Sequence, residues 1–152
     1  MKKLLIGALL LQSSQNYLYS QSELEKALSE GKATLNARLR YEHAEVGSLD
    51  DAEALTIRTR LGYLSGKYYG LKSFLELEDT TAINDDTDYS VPAPVDQKVP
   101  GKSIIADPEG TEINRFWLGY DIEDHTSMKI GRQRIILDNA RFIGNVGWRQ
   151  NE

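Results

Sequence analysis

Lys32-Ala33-Thr34-Leu35-Asn36-Ala37-Arg38-Leu39-Arg40-Tyr41-Glu42 and Leu55-Thr56-Ile57-Arg58-Thr59-Arg60-Leu61-Gly62-Tyr63 decide the fold. Side chains alternate across a strand, so each segment has two unlike faces. In the first, Ala33, Leu35, Ala37, Leu39 and Tyr41 share one face, and Lys32, Thr34, Asn36, Arg38, Arg40 and Glu42 the other. In the second, Leu55, Ile57, Leu61 and Tyr63 stand against Thr56, Arg58, Arg60 and Gly62. An oily face backed by a ladder of arginines is the pattern of a barrel wall, with lipid outside and a charged aqueous lumen inside.

Outward from these segments the period of two recurs. A first strand is expected over 32–43 and a second over 53–64, with a tight turn at Ser65-Gly66-Lys67. A third, over 69–79, sets Leu71, Ser73, Leu75 and Leu77 against Lys72, Phe74, Glu76 and Glu78. A fourth, over 112–122, sets Phe116, Leu118, Tyr120 and Ile122 against Arg115, Trp117, Gly119 and Asp121. Glu123-Asp124-His125 turns the chain into a fifth strand over 127–134, where Gly131 is a candidate bulge. Between the third and fourth, the stretch from Thr80 to Gly110 has no period and holds all four prolines with Asp85, Asp86 and Asp88.

Each strand has roughly the 9–11 residues that cross a bilayer at a tilt. Short and long connections alternate, as they do between the periplasmic and outer ends of such barrels. That rhythm places the N-terminus in the periplasm and the 80–110 loop outside the cell. Tyr63, Tyr68, Tyr69 and Tyr120 gather at the level of an interfacial girdle.

The N-terminus reads as an export signal. Lys2 and Lys3 precede the apolar run Leu4 to Leu11, which is too short to span a membrane, and cleavage after Ser20 fits. Residues 1–20 are thus a leader, 21–31 a helical lead-in, and 32–152 the N-terminal part of the barrel. Ser22 with Glu25 is a candidate capping box for the lead-in helix, and Gly31 its stop. Five strands cannot close a membrane barrel, whose smallest common form has about eight. The expected fold is all-β: an antiparallel up-and-down transmembrane barrel, of which this chain supplies the opening strands.

The formal charge is −5. Losing Lys2 and Lys3 changes the balance from 18 basic against 23 acidic side chains to 16 against 23. An acidic chain of this kind is a poor nucleic-acid binder. There is no cysteine, hence no disulfide or thiol chemistry. No apolar run reaches the 18 residues of a spanning helix.

The segment Lys129-Ile130-Gly131-Arg132-Gln133-Arg134, followed by Leu137-Asp138-Asn139-Ala140-Arg141-Phe142-Ile143-Gly144-Asn145-Val146-Gly147-Trp148-Arg149-Gln150, resembles bacterial outer-membrane porins of the alginate-export type. The Gly-Arg-Gln strand before a loop rich in Asn, Arg and Trp carries the resemblance. The arginine-bearing opening strands and the Glu76/Glu78 strand before a long loop are similar too. The resemblance spans residues 31–152. It implies a Gram-negative outer-membrane channel for passive diffusion of small or anionic solutes, among them acidic sugars such as alginate. It also implies that Arg132, Arg134, Arg141 and Arg149 lie near the constriction of the pore.

From the residues themselves, Arg38, Arg40, Arg58 and Arg60, with Arg115 on the polar face of the fourth strand, are the candidate pore lining. Guanidinium groups facing a lumen attract anions and exclude cations. Arginine at alternate positions is also ordinary on the wet face of a soluble antiparallel sheet; the leader and the loop rhythm favour the lumen. Glu42, Glu76 and Glu78 share these faces, so selectivity is a lean toward anions rather than a rule.

The acidic cluster Asn84, Asp85, Asp86 and Asp88 lacks the spacing and the later bidentate Glu of a Ca²⁺ loop and reads as a solvated loop. His43 and His125 have no metal-ligand spacing. No nucleophile motif or phosphate loop is present, so no catalytic residue, metal or cofactor is assigned and the chain is read as a non-enzyme. The expected partners are outer-membrane lipid, lipopolysaccharide and anionic or small sugar solutes, with no nucleic acid. The main rival is an exported soluble β-sandwich that binds glycans, in which Leu35, Leu39, Leu55 and Ile57 would pack on a second sheet. A third reading is a barrel enzyme whose catalytic groups lie beyond Glu152.

Overall fold

A computed structural model describes residues 21–85, 88–91, 99–123, 125–136, 139, 144 and 147–150. The leader expected at 1–20, its cleavage point, Asp86 and Arg141 lie outside the described residues. A short helix, α1, covers 21–29. Five strands follow: β1 (Lys32–Ala44), β2 (Ala52–Leu64), β3 (Leu71–Ala82), β4 (Gly110–Glu123) and β5 (Thr126–Arg132). They form one antiparallel sheet in the order β1-β2-β3-β4-β5, each strand paired with its neighbour in sequence. Among the described residues β1 and β5 are edges, so the sheet is not a closed barrel.

The strands form where the alternation runs, and the register keeps like faces together. Arg38 lies opposite Arg58, and Arg58 opposite Thr80. Asn36 lies opposite Arg60, Arg60 opposite Glu78, and Glu78 opposite Glu112. A slip of one residue on any strand would send its charges to the oily side, which fixes the pairing. The polar face of the sheet is the covered one and the apolar face the open one. Arg40, Arg58, Arg60, Glu76 and Glu78 are buried, while Leu35, Leu39, Leu61, Leu75, Leu77, Phe116, Leu118 and Ile130 are exposed. We call these the inner and outer faces.

The inner face is covered at the end where β1 stops and β2 starts. The long β3–β4 connection folds back there, and Tyr89, Val91 and Ile105 pack on Ala52 and Ala54, with Ala44 and Ala82 beside them. Short alanines on the strands leave room for those three larger side chains. Asn84 fastens the connection to β2: its Oδ1 accepts from the Leu55 amide (2.8 Å) and its Nδ2 donates to the Glu53 carbonyl (2.9 Å) and the Asp88 carboxylate (3.0 Å). Within the acidic cluster Asp85 is exposed, while Asn84 clips the connection to β2.

At the opposite end, α1 lies against the β2–β3 connection. The Gly66 amide donates to the Ala27 carbonyl (2.7 Å) and the Tyr63 hydroxyl to the Leu28 carbonyl. Ser22 sits inside the helix rather than capping it. Gly31 ends α1 where a side chain would run into the Tyr63 ring. The β2–β3 connection is longer than the expected three-residue turn, with Tyr69 and Gly70 at positive φ. Tyr68 and Tyr69 meet edge to face there, their ring centres 4.8 Å apart.

The bulge expected at Gly131 is elsewhere. Register shifts fall between Glu76 and Leu77 and between Asp121 and Glu123, while Gly131 pairs directly with Trp117. At the first shift Glu76 faces Arg115 and Leu77 faces Ile113, so Asn114 is the extra residue. Its side chain and that of Arg115 both reach inward to Glu76 (both 2.8 Å). Gly131 is instead required by its backbone: φ is +124°, and a Cβ would fall on the Phe116 carbonyl and 2.9 Å from the Trp117 Cα. Gly131→Ala is expected to cost about 1–3 kcal/mol from the backbone alone, with the clash in addition. Hydrogen exchange in the β5 amides of the variant should rise while that in β1 and β2 holds; unchanged β5 protection would contradict this.

Candidate functional site

The inner face brings the expected arginines together on two strands, and a third element reaches them from far along the chain. Residues 147–150 cross the inner face as a strap. The Arg38 guanidinium donates to three carbonyls of the strap: Gly147 (3.1 Å), Trp148 (3.0 Å) and Arg149 (3.1 Å). Arg58 donates to the fourth, Gln150, at 3.1 Å, and to the Asn36 side chain at 3.0 Å. A planar group with five donors in a fixed fork suits a curved run of carbonyls, which a lysine could not grip in this way. The bend of the strap turns its carbonyls to one side, and the opposed pair Arg38/Arg58 meets them.

Gln150 anchors the far end. It is fully buried, and its Nε2 donates to the Thr56 hydroxyl (2.9 Å) and carbonyl (3.1 Å). Its backbone amide donates to Asp107 Oδ1 (3.0 Å). Asp107 is the hub of the site. Its second carboxylate oxygen pairs with Arg40, and its own carbonyl accepts from the Tyr89 hydroxyl (3.2 Å). One carboxylate thus joins the β3–β4 connection, β1 and the strap. Arg40 also pairs with Glu42 and lies over the Trp148 ring, 4.7 Å from its centre. Arg149 reaches Glu42 at 2.9 Å.

Further down the inner face the charges pair among themselves. Arg60 binds Glu78 with both side chains buried, and Arg115 binds Glu76 through two nitrogens. Buried charges persist only when paired and hydrogen-bonded, and each arginine here meets that condition.

The nine expected arginines therefore divide. Arg38, Arg40, Arg58 and Arg149 converge on the strap. Arg60 and Arg115 lie on the same face below it, in ion pairs. Arg132 lies by register opposite outward-facing Phe116, and its exposed guanidinium reaches Glu112 at 3.4 Å. Arg134 is half-buried just past β5, and Arg141 is outside the described residues. Arg40, Arg60 and Arg115 pair with Glu42, Glu78 and Glu76, the acidic residues expected to share these faces, whereas Arg38 and Arg58 donate to the carbonyls of the strap.

Asp107, Gln150 and Tyr89 were not singled out by the sequence. Asp107 is one of 23 acidic residues, and nothing in its neighbours marks it. The only signal for Gln150 was its place at the end of the Asn/Arg/Trp-rich segment. Among the described residues no group of His, Asp and Glu is placed to hold a metal ion. No helix among the described residues is long and apolar enough to cross a membrane, which says nothing of crossing by strands.

Comparison with protein-family models, curated proteins and solved structures finds no match for this chain.

Proposed function

We propose that the five strands are part of the wall of an outer-membrane β-barrel channel through which small or anionic solutes diffuse. The observation that carries the reading is the inversion of the sheet. Leu35 and Leu39 are 74% and 64% exposed on a face shared with Leu61, Phe116 and Ile130, while the charged face is the buried one. Water on the outer face would leave a continuous apolar surface far larger than soluble monomers carry. Acyl chains would remove that cost, and an alternating apolar-out, polar-in sheet is what a spanning barrel presents to them. The meander order, with β1 and β5 as edges among the described residues, suits insertion between further strands. The glycan-binding sandwich needs a second sheet over Leu35 and Leu39, and among the described residues there is one sheet.

In this reading the strap and the β3–β4 cover narrow the passage from within. Because Glu42, Glu76, Glu78 and Asp107 neutralise much of the arginine charge, the anion preference is modest. The test is the natural full-length protein. It should stay with carbonate-washed outer membranes and give ohmic, weakly anion-selective channels in planar bilayers. Release into the carbonate supernatant, or membranes without conductance at saturating protein, would sink the channel.

A further inference from the structure

Helix α1 meets the rest of the chain with its smallest apolar side chain. Ala27 is buried, and its carbonyl accepts from the Gly66 amide at 2.7 Å. A Cβ at Gly66 would stand 2.9 Å from that same oxygen, so glycine admits the helix this closely. Leu24 and Leu28, one turn apart on the same side, are left 46% and 54% exposed. A helix on the surface of a soluble protein turns its leucines inward; α1 keeps them out. Ser22, Glu25, Lys26 and Ser29 are exposed on its opposite side.

Tyr63 fixes where α1 lies. It belongs to the outer face, its hydroxyl donates to the Leu28 carbonyl, and its ring fills the space beside Gly31. The helix is therefore on the outer side of the sheet. Between the two runs an open groove, with Leu24, Ala27 and Leu28 on one wall and Tyr68, Leu71, Ser73 and Leu118 on the other. Ser73 lies opposite Leu118, and its short side chain leaves the depression. From Leu71 and Leu118 the same face continues through Leu75 and Phe116, which pair in register and are exposed. An occupant of the groove therefore meets the apolar surface of the wall with no polar rim between. Exposed Tyr63, Tyr69 and Tyr120 stand at this end of the sheet, and tyrosine favours the boundary between acyl chains and water.

We propose that α1 is a membrane-interface helix and that its groove seats an acyl chain of a phospholipid in the periplasmic leaflet. The inference rests on the channel reading and gives the channel a lipid contact outside its strands, where the sequence suggested only a lead-in. A helix with leucines on one side and charged and hydroxyl side chains on the other lies in the plane of the interface. Lys72 at the edge of the groove and neighbouring Lys67 are both paired with Asp121, at 3.1 and 2.6 Å. The groove accordingly selects the chain of a lipid rather than the charge of its headgroup.

The test is spin labelling of the natural full-length protein in phosphatidylcholine vesicles. Collisions of the label with oxygen, which concentrates among acyl chains, are read against collisions with a water-soluble nickel complex. Labels are attached one at a time to Leu24→Cys, Leu28→Cys, Glu25→Cys and Leu39→Cys in a cysteine-free background. All four positions are exposed, so the replacements leave the packing intact. Labels at 24 and 28 should favour oxygen, as the mid-wall label at 39 does, while the label at 25 favours nickel. If 39 favours oxygen but 24 and 28 favour nickel, the groove faces water and the lipid seat is overturned with the channel left standing. If 24 and 28 are shielded from both, a second copy or another protein fills the groove, and the lipid seat is again overturned. A label at 39 that favours nickel overturns the wall and the lipid seat together.

Discussion

Arg38→Ala is expected to release the strap, with protection of the Gln150 amide against hydrogen exchange falling about 100-fold. The guanidinium makes three hydrogen bonds to successive carbonyls. Hydrogen bonds to a charged group contribute about 1.5–3 kcal/mol each, and not additively. A net loss of about 2.8 kcal/mol, near the upper value for one such bond, corresponds to the stated 100-fold. Gln150 is the reporter because its amide is bonded to Asp107, which itself stays in place through Arg40 and the packing of Tyr89. Arg38→Lys should recover only a small part, since an ammonium has the charge but lacks the fork. Unchanged protection in Arg38→Ala would mean that Gln150 and Thr56 hold the strap unaided. In the proposed channel, release of the strap should also raise the unit conductance, because the strap would lie on the wetted side of the wall.

How far the sequence foretold this site depends on the range of the forces involved. Strand positions and faces were legible because alternation is local: Leu35 or Arg58 needs only its immediate neighbours to declare a side. The pairings β2–β3 and β4–β5 followed from short connections, whereas β3–β4 spans a long one. The bulge was misplaced because it is decided between strands. Glycine at 131 suggested an irregularity, yet the extra residue is Asn114, which enters because Glu76 can accept from it and from Arg115 together. The cover over Ala52 and Ala54 was not legible at all. Tyr89, Val91 and Ile105 lie in a stretch without period, and only the small side chains opposite give them a place. The arginines were found as residues, but the strap that Arg38 and Arg58 grip was not. A guanidinium facing water and one gripping a carbonyl have the same sequence signature, and the partner here is more than a hundred positions away.

The pair Arg60–Glu78 decides how wet the inner wall is. Both side chains are buried, and both lie in one row across the sheet, with Asn36 beyond Arg60 and Glu112 beyond Glu78. Breaking a dry pair from one side costs about 3–5 kcal/mol, because the remaining charge is left without a partner. The two single replacements should not be equal. Arg60→Met leaves Glu78 directly opposite Glu112, two carboxylates together, whereas Glu78→Met leaves Arg60 beside the neutral Asn36 and removes that repulsion. Arg60→Met is therefore expected to be the more damaging, and the double Met variant to recover most of the loss. Equilibrium urea unfolding of the full-length protein in lipid vesicles, read as a double-mutant cycle, gives the coupling. A coupling of several kcal/mol places the pair in a dry environment; in the proposed channel, passage would then be confined to the space beyond the strap. A coupling near the exposed-pair value of about 0.2–1 kcal/mol would mean that water reaches Arg60. In the proposed channel the ladder would then face an open lumen, with its arginines available to solute.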